Sequence, residues 1–172
     1  ESLPELINQL SEVNSIFSFI LVDNGSEDNT QEILHKLEIP ENIQFYKKEV
    51  NTGYGAGIKF GLEKIKTEYC GWMHSDLQQD ASVLMDAYKL LEKNNLESSG
   101  GNFALKGLRT GRSTIENLFT IGVSVLSSIL FFDKFWDMAG QPNIFKTSSL
   151  KFIDNSPDDH TFEFYIYILF LR

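Results

Sequence analysis

Tyr69-Cys70-Gly71-Trp72-Met73-His74-Ser75-Asp76-Leu77-Gln78-Gln79-Asp80 reads as a buried strand running into a carboxylate, Asp76, followed by the amide of Gln78 and then a helix. In an α/β domain, ligands collect just outside the carboxyl ends of the strands. A carboxylate at that place, with an amide beside it, suits a divalent cation shared with a diphosphate. The plainer assignment makes Asp76 or Asp80 the cap of the following helix, a common task for aspartate. The stretch by itself leaves both open.

Working outward, strand and helix patterns alternate. Ile16 to Val22 is a short apolar run that ends in the turn Asp23-Asn24-Gly25-Ser26. Asp28 is placed to cap a helix through Leu37, with Gln31 completing a capping box. Ile43 to Lys47 predicts a strand, Asn51 to Gly55 a loop, Ala56 to Lys66 a helix and Tyr69 to His74 a strand. Ala81 to Lys93 carries Val83, Leu84, Ala87, Leu90 and Leu91 at helical spacing. Asn102 to Lys106 is a further strand. Strands separated by helices of this length predict a parallel sheet covered on both faces.

That order puts four polar segments after strand ends: Asp23-Asn24, Asn51 to Gly55, Asp76 to Gln78 and Lys106 to Arg112. In a parallel sheet all four open onto one edge. Three are rich in amides, carboxylates or glycine, and the fourth carries Lys106, Arg109 and Arg112 without an acid. Gly53, Gly55 and Gly57 resemble a dinucleotide fingerprint, but Ile58 or Phe60 stands where G-x-G-x-x-G needs its last glycine. These glycines serve either a tight turn or the close approach of backbone to a ligand.

The 172 residues suffice for one domain with a substantial core, and 42% hydrophobic content excludes a disordered chain. A formal charge of −9 argues against nucleic-acid partners, which need a net basic face. The single cysteine, Cys70, excludes an internal disulfide framework and fits a reducing compartment, where it serves as a small core residue. The chain opens without an initiator Met, in a helix whose Ser2-Leu3-Pro4-Glu5 reads as a capping box, and it closes at Arg172 in mid-pattern. The expectation is a single domain over residues 1–172, cut at both ends.

Asn117 to Phe132 is uncharged. It falls short of the roughly twenty predominantly apolar residues that a spanning helix requires. It is therefore expected to be a buried or interfacial helix. Phe162 to Leu171 is apolar but for Glu163, and its periodicity does not separate a core helix from a strand.

The series VDNGSEDNT (22–30), NTGYGAGIKFGL (51–62) and GWMHSDLQQD (71–80), in this order and spacing, resembles family 2 glycosyltransferases of GT-A fold. It is most similar to the dolichyl-phosphate-mannose-synthase-like branch that loads polyprenyl phosphates. The resemblance continues through LKGLRTGR (105–112), FWDMAGQPNIFK (135–146) and SPDDHTFEFYIY (156–167). It implies a GT-A-like, mostly parallel sheet flanked by helices, here lacking its first strand.

The resemblance also implies an inverting transfer from a nucleotide sugar, with Mg or Mn as the divalent metal. Asp23, Asn24 and Gly53 fall at its donor-binding positions, Asn24 standing where the family has a second acid. Asp76 matches the second acid of the metal motif, and Gln78 the amide that helps to hold the metal. His74 replaces the first acid, and its plainer assignment is a satisfied, partly buried histidine. Asp137 is the general-base candidate for a hydroxyl acceptor. Lys106, Arg109 and Arg112 are the candidates for binding an acceptor phosphate. The expected acceptor is a polyprenyl phosphate, with the protein peripheral at the cytoplasmic face of the membrane. The alternatives are transfer to a saccharide hydroxyl, or a sugar-nucleotide-binding scaffold with impaired catalysis.

Overall fold

The computed structural model describes residues 2–13, 16–93 and 104–171. Helix α1 (Leu3–Glu12) leads to β1 (Phe19–Asp23), α2 (Thr30–Leu34), β2 (Ile43–Lys47), α3 (Tyr54–Leu62) and β3 (Tyr69–Trp72). Then come α4 (Ser82–Lys93), β4 (Ala104–Lys106), α5 (Thr114–Phe131), β5 (Asn143–Lys146), a 3-10 segment (Thr147–Phe152) and α6 (Phe162–Leu171). Of the expected strand 102–106, residues 102 and 103 lie outside the described residues.

Strands β1 and β2 pair in parallel, from Phe19 opposite Ile43 to Asp23 opposite Lys47. Strands β3 and β4 both pair antiparallel with β5, which lies between them. The predicted strands β3 and β4 thus run in the same direction, as expected, while β5 enters the sheet as an unpredicted antiparallel member. Its NIFK run is short and follows Pro142, so it carries little strand signal of its own. The register matters, because Trp72 and Lys106 both lie opposite Asn143. The carboxyl ends of β3 and β4 therefore meet at one edge.

Neighbouring β5 residues face opposite layers, the period-2 consequence of strand geometry. Ile144 packs with Ala87 and Leu91 of α4. Phe145 packs with Cys70, Leu62, Phe162 and Ile166, in a layer built largely by α6 and α3. The sheet is therefore covered on both faces, and α6 is a helix with Phe162 wholly buried. Burying each such phenylalanine stabilises the fold by about 1.5–3 kcal/mol. A third cluster joins Leu6, Ile7 and Leu10 of α1 to Ile43 and Ala81. Helix α3 contacts both β1 and β3. Its Gly61 lets Val22 approach, where a Cβ would lie 3.0 Å from the valine methyl.

Three local expectations are corrected. Ser2 has helical backbone angles and its side chain makes no cap bond, so the first capping box does not form. Helix α2 is a short element, and Gln31 donates to Asp23 at 3.2 Å instead of closing a box with Asp28. Asp28 binds the Thr30 N–H and hydroxyl instead. Gln31 has gone to a more distant acceptor, and Asp28 has closed a tighter local turn.

Candidate functional site

Asp23 ends β1 and is buried. One oxygen accepts the Ser26 N–H at 2.8 Å, the other accepts from Gln31, and the Lys47 ammonium lies 3.9 Å away. Burial pushes its pKa up, but the bonds from Ser26 and Gln31 and the Lys47 charge outweigh it and hold the carboxyl below its ordinary value. Asn24 donates to the Gly53 carbonyl at 2.8 Å and to Asn51 at 3.2 Å. Its own buried carbonyl oxygen has no partner among the described residues. Asp23, Asn24 and Gly53 are thus brought together as expected, with one acceptor left over.

The glycines of the 51–57 loop serve packing within the chain. Gly53 has φ +121°, and a Cβ there would collide with the Asp158 carbonyl oxygen. One at Gly55 would meet the Pro157 carbonyl, and the Ala56 N–H donates to the Asp158 carbonyl at 3.0 Å. Gly57 sits against the Asn24 side chain. The loop is close to backbone because the 157–159 segment lies on it.

Asp76 follows β3 and is exposed. One oxygen accepts the Gln78 N–H at 3.1 Å, and the other has no protein partner among the described residues. Capping of α4 falls instead to Asp80, which accepts the Ser82 N–H at 2.8 Å. Gln78 is also exposed. No group of three or more His, Cys, Asp or Glu side chains suited to a metal occurs among the described residues. The donor set at Asp76 and Gln78 fits a magnesium-like ion, which takes one or two protein oxygens and completes its shell from phosphate and water. It does not fit an all-protein cage.

His74 is exposed rather than partly buried. Its N–H donates to the Gln141 side chain at 2.6 Å, and its ring lies 5.4 Å from that of Tyr54. Tyr54 stacks on its other neighbour, His160, at 5.0 Å. The Tyr54 hydroxyl donates to Glu163 at 2.8 Å, and burial first, then the Glu163 charge, raise its pKa.

Glu163 is the hub that sequence reasoning missed. One oxygen accepts from Tyr54, the Trp72 indole at 2.9 Å and Gln141 at 2.9 Å. The other faces Asn143 at 3.4 Å and the Lys106 ammonium at 3.8 Å. The available signal was a lone acid in an otherwise apolar helix. Lys106 also donates to the Gly140 carbonyl and the Asn143 side chain, both at 2.8 Å. Burial lowers its pKa, opposed by Glu163 and Asp137.

Arg109, Arg112 and Asp137 come together in a cleft of about 240 Å³, lined also by Asn117, Thr120, Ile121 and Trp136. Asp137 is buried and held by Arg109, whose backbone N–H and Nε each donate at 2.7 Å while its Nη2 makes a further contact. Arg112 donates to Thr120 at 2.6 Å and lies 3.6 Å from Glu116. A second cleft of about 490 Å³, beside Lys48, Lys59 and Asp158, contains none of the expected site residues.

The α/β domain thus carries amide-rich loops, an exposed aspartate and a two-arginine cleft on the segments that follow its strands. The chain belongs to glycosyl transferase family 2, whose sequence profile matches residues 1–162. It is similar to an uncharacterized protein of Methanocaldococcus jannaschii, 27% identical over 123 residues, covering 68% of this chain and 53% of that protein. It is also similar to an undecaprenyl-phosphate 4-deoxy-4-formamido-L-arabinose transferase of Pseudomonas savastanoi pv. phaseolicola. That match is 30% identical over 99 residues, 54% of this chain and 29% of the relative. The chain thus spans about half, or less, of these curated relatives.

Proposed function

We propose that this domain moves a sugar, with inversion, from a nucleoside diphosphate to a polyprenyl phosphate at the cytoplasmic face of a membrane. The observation that carries this reading is the state of its acids. Of the three carboxylates read as site residues, Asp23 and Asp137 have both oxygens bound within the chain, and Asp76 alone keeps one free. Asp76 and Gln78 would hold a Mg or Mn ion. When bound, that ion supplies Lewis-acid stabilisation of the departing diphosphate. Asn24, with its unpaired carbonyl, and the Asp23 turn border the donor side.

The pairing of Asp137 favours a phosphate over a hydroxyl acceptor. A hydroxyl needs a base, and protonating Asp137 would cost its bonds to Arg109. A phosphate oxygen is already anionic: it attacks the anomeric carbon as the bond to the diphosphate breaks, and no proton has to move. Arg112 and Arg109 orient it by charge-assisted hydrogen bonds, with Lys106 behind them. The named polyprenyl-phosphate relative supports the same acceptor class.

The test is a panel of UDP- and GDP-sugars with a short polyprenyl phosphate or a free saccharide as acceptor, using the full-length protein. Transfer to the lipid phosphate that is lost with a chelator is expected. Full activity in Asp76→Asn would sink the metal assignment, and transfer confined to the saccharide would sink the acceptor assignment.

A further inference from the structure

Glu163 stands where packing alone would put an apolar residue. It lies in the first turn of α6, whose sequence FEFYIYILFL has no other charge, and its side chain is 11% exposed. A buried ion pair seldom outperforms hydrophobic groups of the same size, so fold stability gives no reason for a carboxylate here. The residues it holds do give one.

The partners of Glu163 are all donors, and Tyr54, Trp72 and Lys106 among them flank proposed site residues. One oxygen accepts from the Tyr54 hydroxyl, the Trp72 indole and the Gln141 amide. Tyr54 opens α3 directly after Gly53, and Trp72 closes β3 on the way to Asp76. The Gln141 side-chain oxygen in turn accepts the His74 N–H, between Trp72 and Asp76. The other Glu163 oxygen faces the Asn143 amide at 3.4 Å and, at 3.8 Å, the ammonium of Lys106, which ends β4 just before Arg109. Trp72 and Lys106 lie opposite Asn143 on its two sides, so a single carboxylate spans both strand ends.

We infer that Glu163 is a positioning residue that joins the two halves of the site: one oxygen sets the donor-side segments at Tyr54 and Trp72, and the other holds the Lys106 ammonium for the acceptor phosphate. This rests on the lipid-phosphate reading of the acceptor. Glu163 touches no substrate in this role and acts through its partners. Lys106 is faced by Glu163 and the Tyr167 ring from α6, by Asn143 from β5, by the Gly140 carbonyl and Asp137 from the segment between α5 and β5, and by Arg109 from its own. Burial and Arg109 favour its neutral form, whereas Glu163 and Asp137 keep it charged. Without the Glu163 charge, Lys106 sheds its proton at a lower pH, and a neutral amine no longer attracts a phosphate. Glu163→Gln separates the two halves. Its amide oxygen can still accept from Tyr54, Trp72 and Gln141, while its NH2 group meets Lys106 and Asn143 donor to donor.

The test is steady-state kinetics of the full-length protein with the UDP- or GDP-sugar it turns over and a short polyprenyl phosphate, between about pH 7 and about pH 9.5. With Glu163→Gln, the KM for the lipid phosphate should rise about tenfold while the donor KM stays unchanged. Its further rise with pH should begin about one pH unit lower than in the wild type. Tyr54→Phe should do the reverse, raising the donor KM about threefold or more and leaving the acceptor KM and its pH profile alone. A merely structural Glu163 would lower the melting temperature without splitting the two KM values. Equal rises in both, a rise in neither, or a pH profile that coincides with the wild type would overturn the inference. If Glu163→Gln does not fold, Tyr54→Phe decides, and any outcome other than a rise in the donor KM alone would overturn it. Wild-type transfer confined to a saccharide would overturn the acceptor reading and this inference with it. Wild-type transfer to the lipid phosphate with unsplit KM values in the variants would overturn this inference alone.

Discussion

Asp76 and Arg109, both proposed for the site, are held very differently. Asp76 is exposed and keeps one oxygen free, so Asp76→Asn should leave the melting temperature unchanged. Transfer should fall by about a hundredfold or more, the scale of losing several kcal/mol of charge stabilisation. Arg109 is the partner of a buried carboxylate. Arg109→Ala should therefore cost about 3–5 kcal/mol in urea unfolding, because Asp137 would be left buried and unpaired. That makes Arg112→Ala the cleaner probe of acceptor phosphate. Arg112 pairs with the half-exposed Glu116, so stability should change by less than about 1 kcal/mol. Transfer to the lipid phosphate should nevertheless fall about tenfold or more, with the donor KM unchanged.

At the scale of elements, the working loops are positioned by backbone contacts. Gly53→Ala forces a side chain onto the Asp158 carbonyl from a positive φ, and it should destabilise the fold by about 1–3 kcal/mol in urea titration. Helix α5 does form the capping box that α1 lacks: Ser113 accepts the Glu116 N–H, and Glu116 accepts the Ser113 N–H at 2.9 Å. Ser113→Ala should cost about 0.5–2 kcal/mol and raise the KM for acceptor phosphate, since Arg112 precedes the freed turn. Most elements are legible from their periodicity, including β2 at its observed bounds. Strand β5 is not, because its pairing with β3 and β4 comes from chain far away in sequence. The all-apolar α6 has no periodicity with which to show where Glu163 points.

Across the whole molecule, the acid limit of stability follows from carboxylates bound in the folded state. Asp23 has its folded pKa held below the ordinary 3.8. Its contribution is fully present above that value and lost as pH falls through the folded one. The urea midpoint should drop as pH falls below the ordinary 3.8, and Asp23→Asn should flatten part of that drop. The family, the α/β order and the loops that carry Asp23, Asn24, Gly53, Asp76 and Gln78 can be read along the chain. These features depend on near neighbours: strand and helix periods, turn residues and motif spacing. Which acid remains free cannot be read that way. Asp137 meets Arg109, and Glu163 gathers Tyr54, Trp72, Gln141 and Lys106, only because packing brings distant segments to one sheet edge. The outward turn of α5's apolar face, Leu118 and Phe119 included, has the same origin, since the sequence contains both faces and packing selects the one that is buried.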